Sequence, residues 1–158
     1  AILLHCKPGD LFVIRNVAAL VPAVTQASNP CSVMSAIEYG VKHLNVEHIV
    51  VMGHSHCGGI HGLMTPESIA GETYIQDWVS IASPALERLQ AMTGDEDEKT
   101  RSRHCEEGAV LISLDNLLSY PWIAERVKNG QLKLHALYYD LSEGNLYRFS
   151  PDLSLIHI

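Results

Sequence analysis

Hydrophobic positions along this chain follow two periods: continuous runs of four or five residues, and stripes that return every third or fourth position. The runs predict strands, and the His48–Met52 run, too continuously apolar for a half-exposed strand, suits a parallel strand covered on both faces. Leu11–Ile14 is one, His48–Met52 a second, and Leu132–Leu141 a longer third. The stripes predict helices. One starts at Ser32 and carries Val33, Ile37, Val41 and Leu44; a long one spans Tyr74–Met92 with Ile75, Trp78, Ala82, Leu86 and Leu89 on one face. A third spans His104–Leu118.

Turn-forming residues separate these elements. Ile2–Cys6 is a short apolar piece ended by the turn Pro8-Gly9-Asp10, and Val17–Val21 is a loop or short helix stopped by Pro22. Asn29-Pro30 breaks the chain again. A short helix is expected after Gly59, and Pro121 opens another that Gly130 terminates. Ser142-Glu143-Gly144-Asn145 turns the last strand back into Leu146–Phe149, an antiparallel edge strand. The order of elements predicts an α/β fold: a mostly parallel β-sheet flanked by helices, with an antiparallel C-terminal edge strand. Residues 1–152 are expected to form one domain. The tail Leu153-Ser154-Leu155-Ile156-His157-Ile158 fits a short strand, but it also spells what a common transposon-type sequencing adapter encodes in one frame. It is expected to be non-native and is set aside from functional reasoning.

Composition narrows the class. With 47% hydrophobic and 18% charged residues the chain reads as a soluble globular domain. A net charge of -7 argues against nucleic acid or an anionic membrane as partner. The acidic run Asp95-Glu96-Asp97-Glu98 reads as a solvated loop between helices. No apolar run is long enough to span a bilayer, and no secretory signal opens the chain. The start at Ala1 rather than Met leaves a targeting segment upstream open. Cys6, Cys31, Cys57 and Cys105 are too irregularly spaced for a disulfide framework, so a reducing cytoplasm is expected.

The densest chemistry lies in Ile49-Val50-Val51-Met52-Gly53-His54-Ser55-His56-Cys57-Gly58-Gly59-Ile60. An apolar strand ends, and a histidine and a cysteine follow three residues apart. Imidazole nitrogen and thiolate sulfur are preferred zinc donors. The end of a buried α/β strand is where such folds place ligands. The pair is therefore half of a metal site, or else a small buried thiol beside a strand-end histidine.

Several stretches together resemble one family, the β-class carbonic anhydrases. Phe12-Val13-Ile14-Arg15-Asn16-Val17-Ala18 is similar to its Arg-Asn-x-Ala stretch, and Ser35-Ala36-Ile37-Glu38-Tyr39-Gly40-Val41 to its Ser-x-Glu-Tyr-Ala helix. His54-x-x-Cys57-Gly58-Gly59 matches the zinc motif. Tyr120-Pro121, Gly130, Leu132, Leu134-His135 and Tyr139-Asp140 resemble the closing helix and strand. The resemblance implies zinc as cofactor, with His54 and Cys57 as ligands and Gly58 and Gly59 beside the substrate. It implies reversible hydration of carbon dioxide to bicarbonate, and a homodimer or larger homo-oligomer. In the family the remaining ligand cysteine and an Asp-Arg pair come from a Cys-x-Asp-Ser-Arg motif after the first strand. That motif falls before Ala1, so the central strand and the pair are expected to be missing and the fragment inactive. Alternatives are a non-catalytic zinc scaffold of the same fold, or a hydrolase of carbon disulfide or carbonyl sulfide.

Arg15 and Tyr139 match positions that bind a regulatory bicarbonate in some family members; otherwise Arg15 is a strand-end arginine and Tyr139 a core residue with an anchored hydroxyl. His56 is either a proton relay or a histidine at the pocket rim. His61 is expected at the surface of the short helix. Cys6, Cys31 and Cys105 are expected to be structural, with the last two at helix starts.

Overall fold

The structure is a computed structural model describing residues 2–27, 30–92, 94, 96–150 and 155–157. Its helices are α1 (Ser32–Lys42), α2 (Gly58–Met64), α3 (Thr73–Val79), α4 (Ser83–Ala91), α5 (Glu98–Leu118) and α6 (Pro121–Lys128). Its strands are β1 (His48–His54), β2 (Lys133–Asp140), β3 (Asn145–Phe149) and β4 (Leu155–His157). The expected α/β architecture is present as a small mixed sheet in the order β1-β2-β3-β4. β1 and β2 run parallel with His54 opposite Tyr139, and β3 runs antiparallel to β2. β4 lies outside β3, so β3 has a neighbour on either side. Of the tail, residues 153, 154 and 158 lie outside the described residues, as does Asn29.

Two apolar clusters hold the helices in place. One joins Leu20, Cys57, Ile60 and Leu63 to Ala82, Ala85 and Leu89 of the α4 region and to Cys105, Ala109 and Ile112 of α5. The other packs Val33, Ile37 and Val41 of α1 with Val51 of β1, Val110 and Leu117 of α5, and Ile123, Leu132 and Ala136. Helix α5 thus lies between the clusters and carries buried residues for both. Its approach to β1 is close: a side chain at Gly53 would bring its first carbon to 2.5 Å from Val110 Cγ2.

Four expectations are corrected. Leu11–Ile14 is not a strand, and Phe12 and Val13 are 48% and 57% exposed. An extended segment becomes a strand only where a neighbour takes up its backbone N–H and C=O groups, and among the described residues none pairs with it. Nor is β1 covered on both faces, since the Val50 side chain is 44% exposed; among the described residues it also pairs on one edge only. The long helix over Tyr74–Met92 is broken into α3, a single 3-10 turn Ser80–Ala82, and α4. Pro84 has no N–H to give to the preceding turn and its ring crowds that turn, so it sits in the first turn of a new helix. Finally, α5 starts at Glu98 rather than His104, because Asp97 caps it by accepting the Thr100 N–H at 2.7 Å. Part of the acidic run is therefore a helix start, and Cys105 lies inside α5 rather than at its beginning.

Other expectations match. The turn at residues 7–10 closes with the Asp10 N–H on the Lys7 carbonyl, α2 follows the Gly-Gly pair, and α6 runs from Pro121. Gly130, at φ 70°, follows α6 and donates to the Val127 carbonyl. The turn after β2 closes with the Gly144 N–H on Asp140. No helix among the described residues is long and apolar enough to cross a membrane.

Candidate metal centre

β1 delivers His54 at its C-terminal end, and the chain reaches α2 through Ser55, His56 and Cys57. This connection is tight. The Ser55 N–H donates to the Tyr139 carbonyl at 2.9 Å, continuing the β2 ladder, and Ser55 Oγ accepts the Leu141 N–H at 2.8 Å. His56 takes a positive φ of 57°, which few non-glycine residues adopt. Its Nε2 meets Ser142 Oγ at 2.9 Å, so the exposed ring is tied to the turn after β2.

His54 is half-buried, and its Nδ1 lies 2.8 Å from the Ser55 carbonyl. With Nδ1–H as donor, Nε2 is the nitrogen left with a lone pair. Metal-binding histidines commonly have this arrangement, one ring nitrogen fixed by a carbonyl and the other presented to the ion. Cys57 is buried and immediately precedes the first turn of α2. His54 and Cys57 thus offer a nitrogen and a sulfur donor, a set that fits two positions of a zinc site. Among the described residues, no group of three or more His, Cys, Asp or Glu side chains could hold a metal ion.

The two glycines do different work. A Cβ on Gly58 would meet nothing within 4 Å, so this residue borders open space. A Cβ on Gly59 would fall 2.7 Å from Val17 Cγ1 and 3.1 Å from Ala18 Cβ, so only glycine admits the 17–19 turn so close. That turn holds Ala18 and Ala19 at φ 61° and 52°, a strained pair for residues with a Cβ. Asn16 braces it by exchanging two hydrogen bonds with Leu20, and Trp78 Nε1 donates to the Val17 carbonyl at 2.8 Å.

Arg15 is exposed, two residues before Val17, and its side chain makes no hydrogen bond or ion pair among the described residues. Tyr139 is half-buried beside His54 across the strand register; its hydroxyl has no hydrogen-bond partner among the described residues, contrary to an anchored core tyrosine. No hydrogen bond or cation–π contact joins these two. His61 is exposed on α2. All four cysteines are free: Cys6 and Cys31 are half-buried, while Cys105 is fully buried and its thiol is pushed up to about 11, by burial first and the Glu106 charge second. A cavity of about 420 Å³, lined by Asn45, Glu47, His48, Arg126, Gly130, Gln131 and Lys133, lies at the opposite end of the sheet and includes none of the residues above.

One residue at this site went unread in the sequence. Glu106 of α5 is only 5% exposed, and its Oε1 accepts the Cys57 N–H at 3.0 Å. Its Oε2 accepts the Tyr138 hydroxyl at 2.7 Å. Burial, then this bond to Glu106, raises the Tyr138 pKa, which keeps the phenol protonated as a donor. The signal was available: Glu106 shares a helical face with Ala109, Val110 and Ser113, all buried. A lone carboxylate on an apolar face needs a reason.

Comparison with known proteins gives one result throughout. The carbonic anhydrase family model matches residues 1–146. Beta carbonic anhydrase 5, chloroplastic, of Arabidopsis thaliana is 39% identical over 147 residues, covering 92% of this chain and 48% of that protein. Beta carbonic anhydrase 6, mitochondrial, of the same plant is 40% identical over 150 residues, covering 92% and 51%. The chain thus spans about half the length of these curated relatives. Among solved structures, the β-carbonic anhydrase CcaA superimposes with a TM-score of 0.91 at 27% identity, over 99% of this chain and 70% of that one. A β-carbonic anhydrase of Sordaria macrospora, described as tetrameric, gives 0.76 at 31% identity, over 94% and 73%. With sequence and backbone in agreement along almost its whole length, this chain belongs to the carbonic anhydrase family, in the β class.

Proposed function

We propose that the full-length protein carrying these residues catalyses zinc-dependent, reversible hydration of carbon dioxide to bicarbonate. The observation that carries this reading is the strand-end turn: His54 has Nδ1 committed to a carbonyl and Nε2 left over, three residues before a buried Cys57. His54 and Cys57 would hold the metal, and family order puts the second cysteine and the Asp-Arg pair before residue 1. When bound, zinc supplies a Lewis acid that polarises oxygen and acidifies water. The protein residues do the rest. Gly58 borders open space, and the apolar Val17 and Ala18 pack against Gly59 next to it. Apolar side chains there suit a small uncharged gas better than its charged product, which favours release of bicarbonate. Homo-oligomeric assembly belongs to the same reading and is supported by the tetrameric relative and by the exposed apolar segment at Phe12 and Val13.

The test is zinc content and stopped-flow hydration of carbon dioxide with a pH indicator. Full-length protein should bind one zinc per chain and be active. Cys57→Ser and His54→Ala should each lose metal by about 10-fold or more in affinity and lose activity with it. The isolated 158-residue chain should be inactive. Full zinc occupancy and activity in either variant would defeat the assignment.

A further inference from the structure

Buried backbone N–H groups need an acceptor, and the residue leading into a helix has none within that helix. For Cys57 the acceptor is neither water nor a neighbour in sequence. It is a carboxylate oxygen 49 residues away on α5. The other oxygen of that carboxylate holds Tyr138, which sits on β2 next to Tyr139. Arg103, one turn earlier on α5, places its guanidinium 5.4 Å from the Tyr138 ring centre and pairs with Glu107, which steadies the tyrosine from outside. One side chain therefore fastens the start of α2 to both β2 and α5.

We propose that Glu106 is a positioning residue for Cys57, setting the direction of its sulfur before any metal arrives. The proposal rests on the metal reading above. A carboxylate has acceptors only, so both of its oxygens can serve the two donors without competing. The bond from Cys57 is charge-assisted and correspondingly strong. With this N–H held, the backbone at Cys57 cannot rotate freely, and the sulfur is presented from a fixed Cα. Partners that orient a ligand in this way commonly change metal affinity by about 10–100-fold when removed.

Glutamine offers a discriminating substitute. Its single carbonyl oxygen can take the Cys57 N–H while its amide donates to the Tyr138 oxygen, since a hydroxyl rotates to accept. Alanine keeps neither bond. The experiment loads full-length protein with cobalt(II) in place of zinc, reads the thiolate-to-cobalt charge-transfer band, and measures zinc affinity by chelator competition. Glu106→Ala should lower affinity by about 10–100-fold and shift the band. Glu106→Gln should recover most of both. Ser113→Ala is the control for general loosening, because buried Ser113 on the same helix accepts only the distant Val21 N–H. It should lose stability while keeping band and affinity.

An unchanged band and affinity in Glu106→Ala overturns the positioning role, as does an equal loss in Ser113→Ala. No cobalt–thiolate band in the unaltered protein overturns the metal reading itself, and this role falls with it. If Glu106→Ala does not fold, hydrogen exchange decides. The Cys57 amide should be protected in unaltered metal-free protein and exchange faster in Tyr138→Phe, where Glu106 loses its second anchor. Absence of that protection overturns the proposal.

Discussion

At the scale of single residues, adjacent Gly58 and Gly59 make opposite predictions although sequence treats them alike. Gly59→Ala would push a Cβ into Val17 and Ala18, a turn already strained at Ala18 and Ala19. Overpacking of this kind commonly destabilises by about 1–3 kcal/mol. Gly58→Ala meets open space at a helix start and removes freedom from the unfolded chain, which stabilises by roughly 0.4–1 kcal/mol. Urea denaturation should separate the two variants in this order, and a Gly59→Ala protein as stable as the parent would contradict the packing described. What the sequence revealed at this scale was chemistry close in the chain. His54, Cys57 and the two glycines lie within six residues and fold into one turn. Glu106 is 49 residues from Cys57, and nothing in a linear reading pairs them. Only its place on an apolar face hinted at a buried role.

At the scale of elements, the apolar pattern located α1, β1 and β2, while Gly59 marked α2 and Pro121 and Gly130 marked α6. It failed where an element depends on something other than its own pattern. Leu11–Ile14 has the composition of a strand but lacks a partner among the described residues. Tyr74–Met92 keeps its apolar stripe in phase across a proline break, so the stripe concealed the break. The first turn and a half of α5, Glu98–Arg103, has no apolar residue to show a period. Asp97 makes that start, and this gives α5 a pH dependence. The Thr100 N–H holds the Asp97 carboxyl below its ordinary value of 3.8. A lowered folded-state pKa stabilises the fold above the unfolded value and is lost as pH falls through the folded one. Asp97→Ala should therefore be less stable than the parent near neutral pH, with the gap narrowing at about pH 3. Urea midpoints at the two pH values check this; a gap that stays constant would remove Asp97 as the source.

At the scale of the whole molecule, the described sheet ends on one side at β1. Among the described residues β1 has no strand partner on the side away from β2, and its Val50 side chain is exposed on one face. Phe12 and Val13 are exposed as well, so exposed apolar side chains and a terminal strand occur in one 158-residue chain. Unpaired strand edges recruit other strands unless a charge, a proline or a bulge blocks them. β1 contains no proline, and its only charge-bearing candidates are the histidines at its two ends. A net charge of -7 opposes association, but at physiological ionic strength it is screened beyond about 8 Å. β1 carries no Asp, Glu, Lys or Arg, so little of that charge sits where strands would meet, at about 4.7–4.9 Å, and apolar contact should prevail there. The isolated chain should therefore self-associate. Light scattering over a dilution series should show mass falling toward that of one chain, 17.4 kDa, only at the lowest concentrations. Val50→Lys puts a charge on the exposed face of this terminal strand and should move the transition to higher concentration, as should Val13→Lys on the exposed segment. A unaltered chain that stays at one-chain mass throughout would show that the edge is closed by contacts within the molecule.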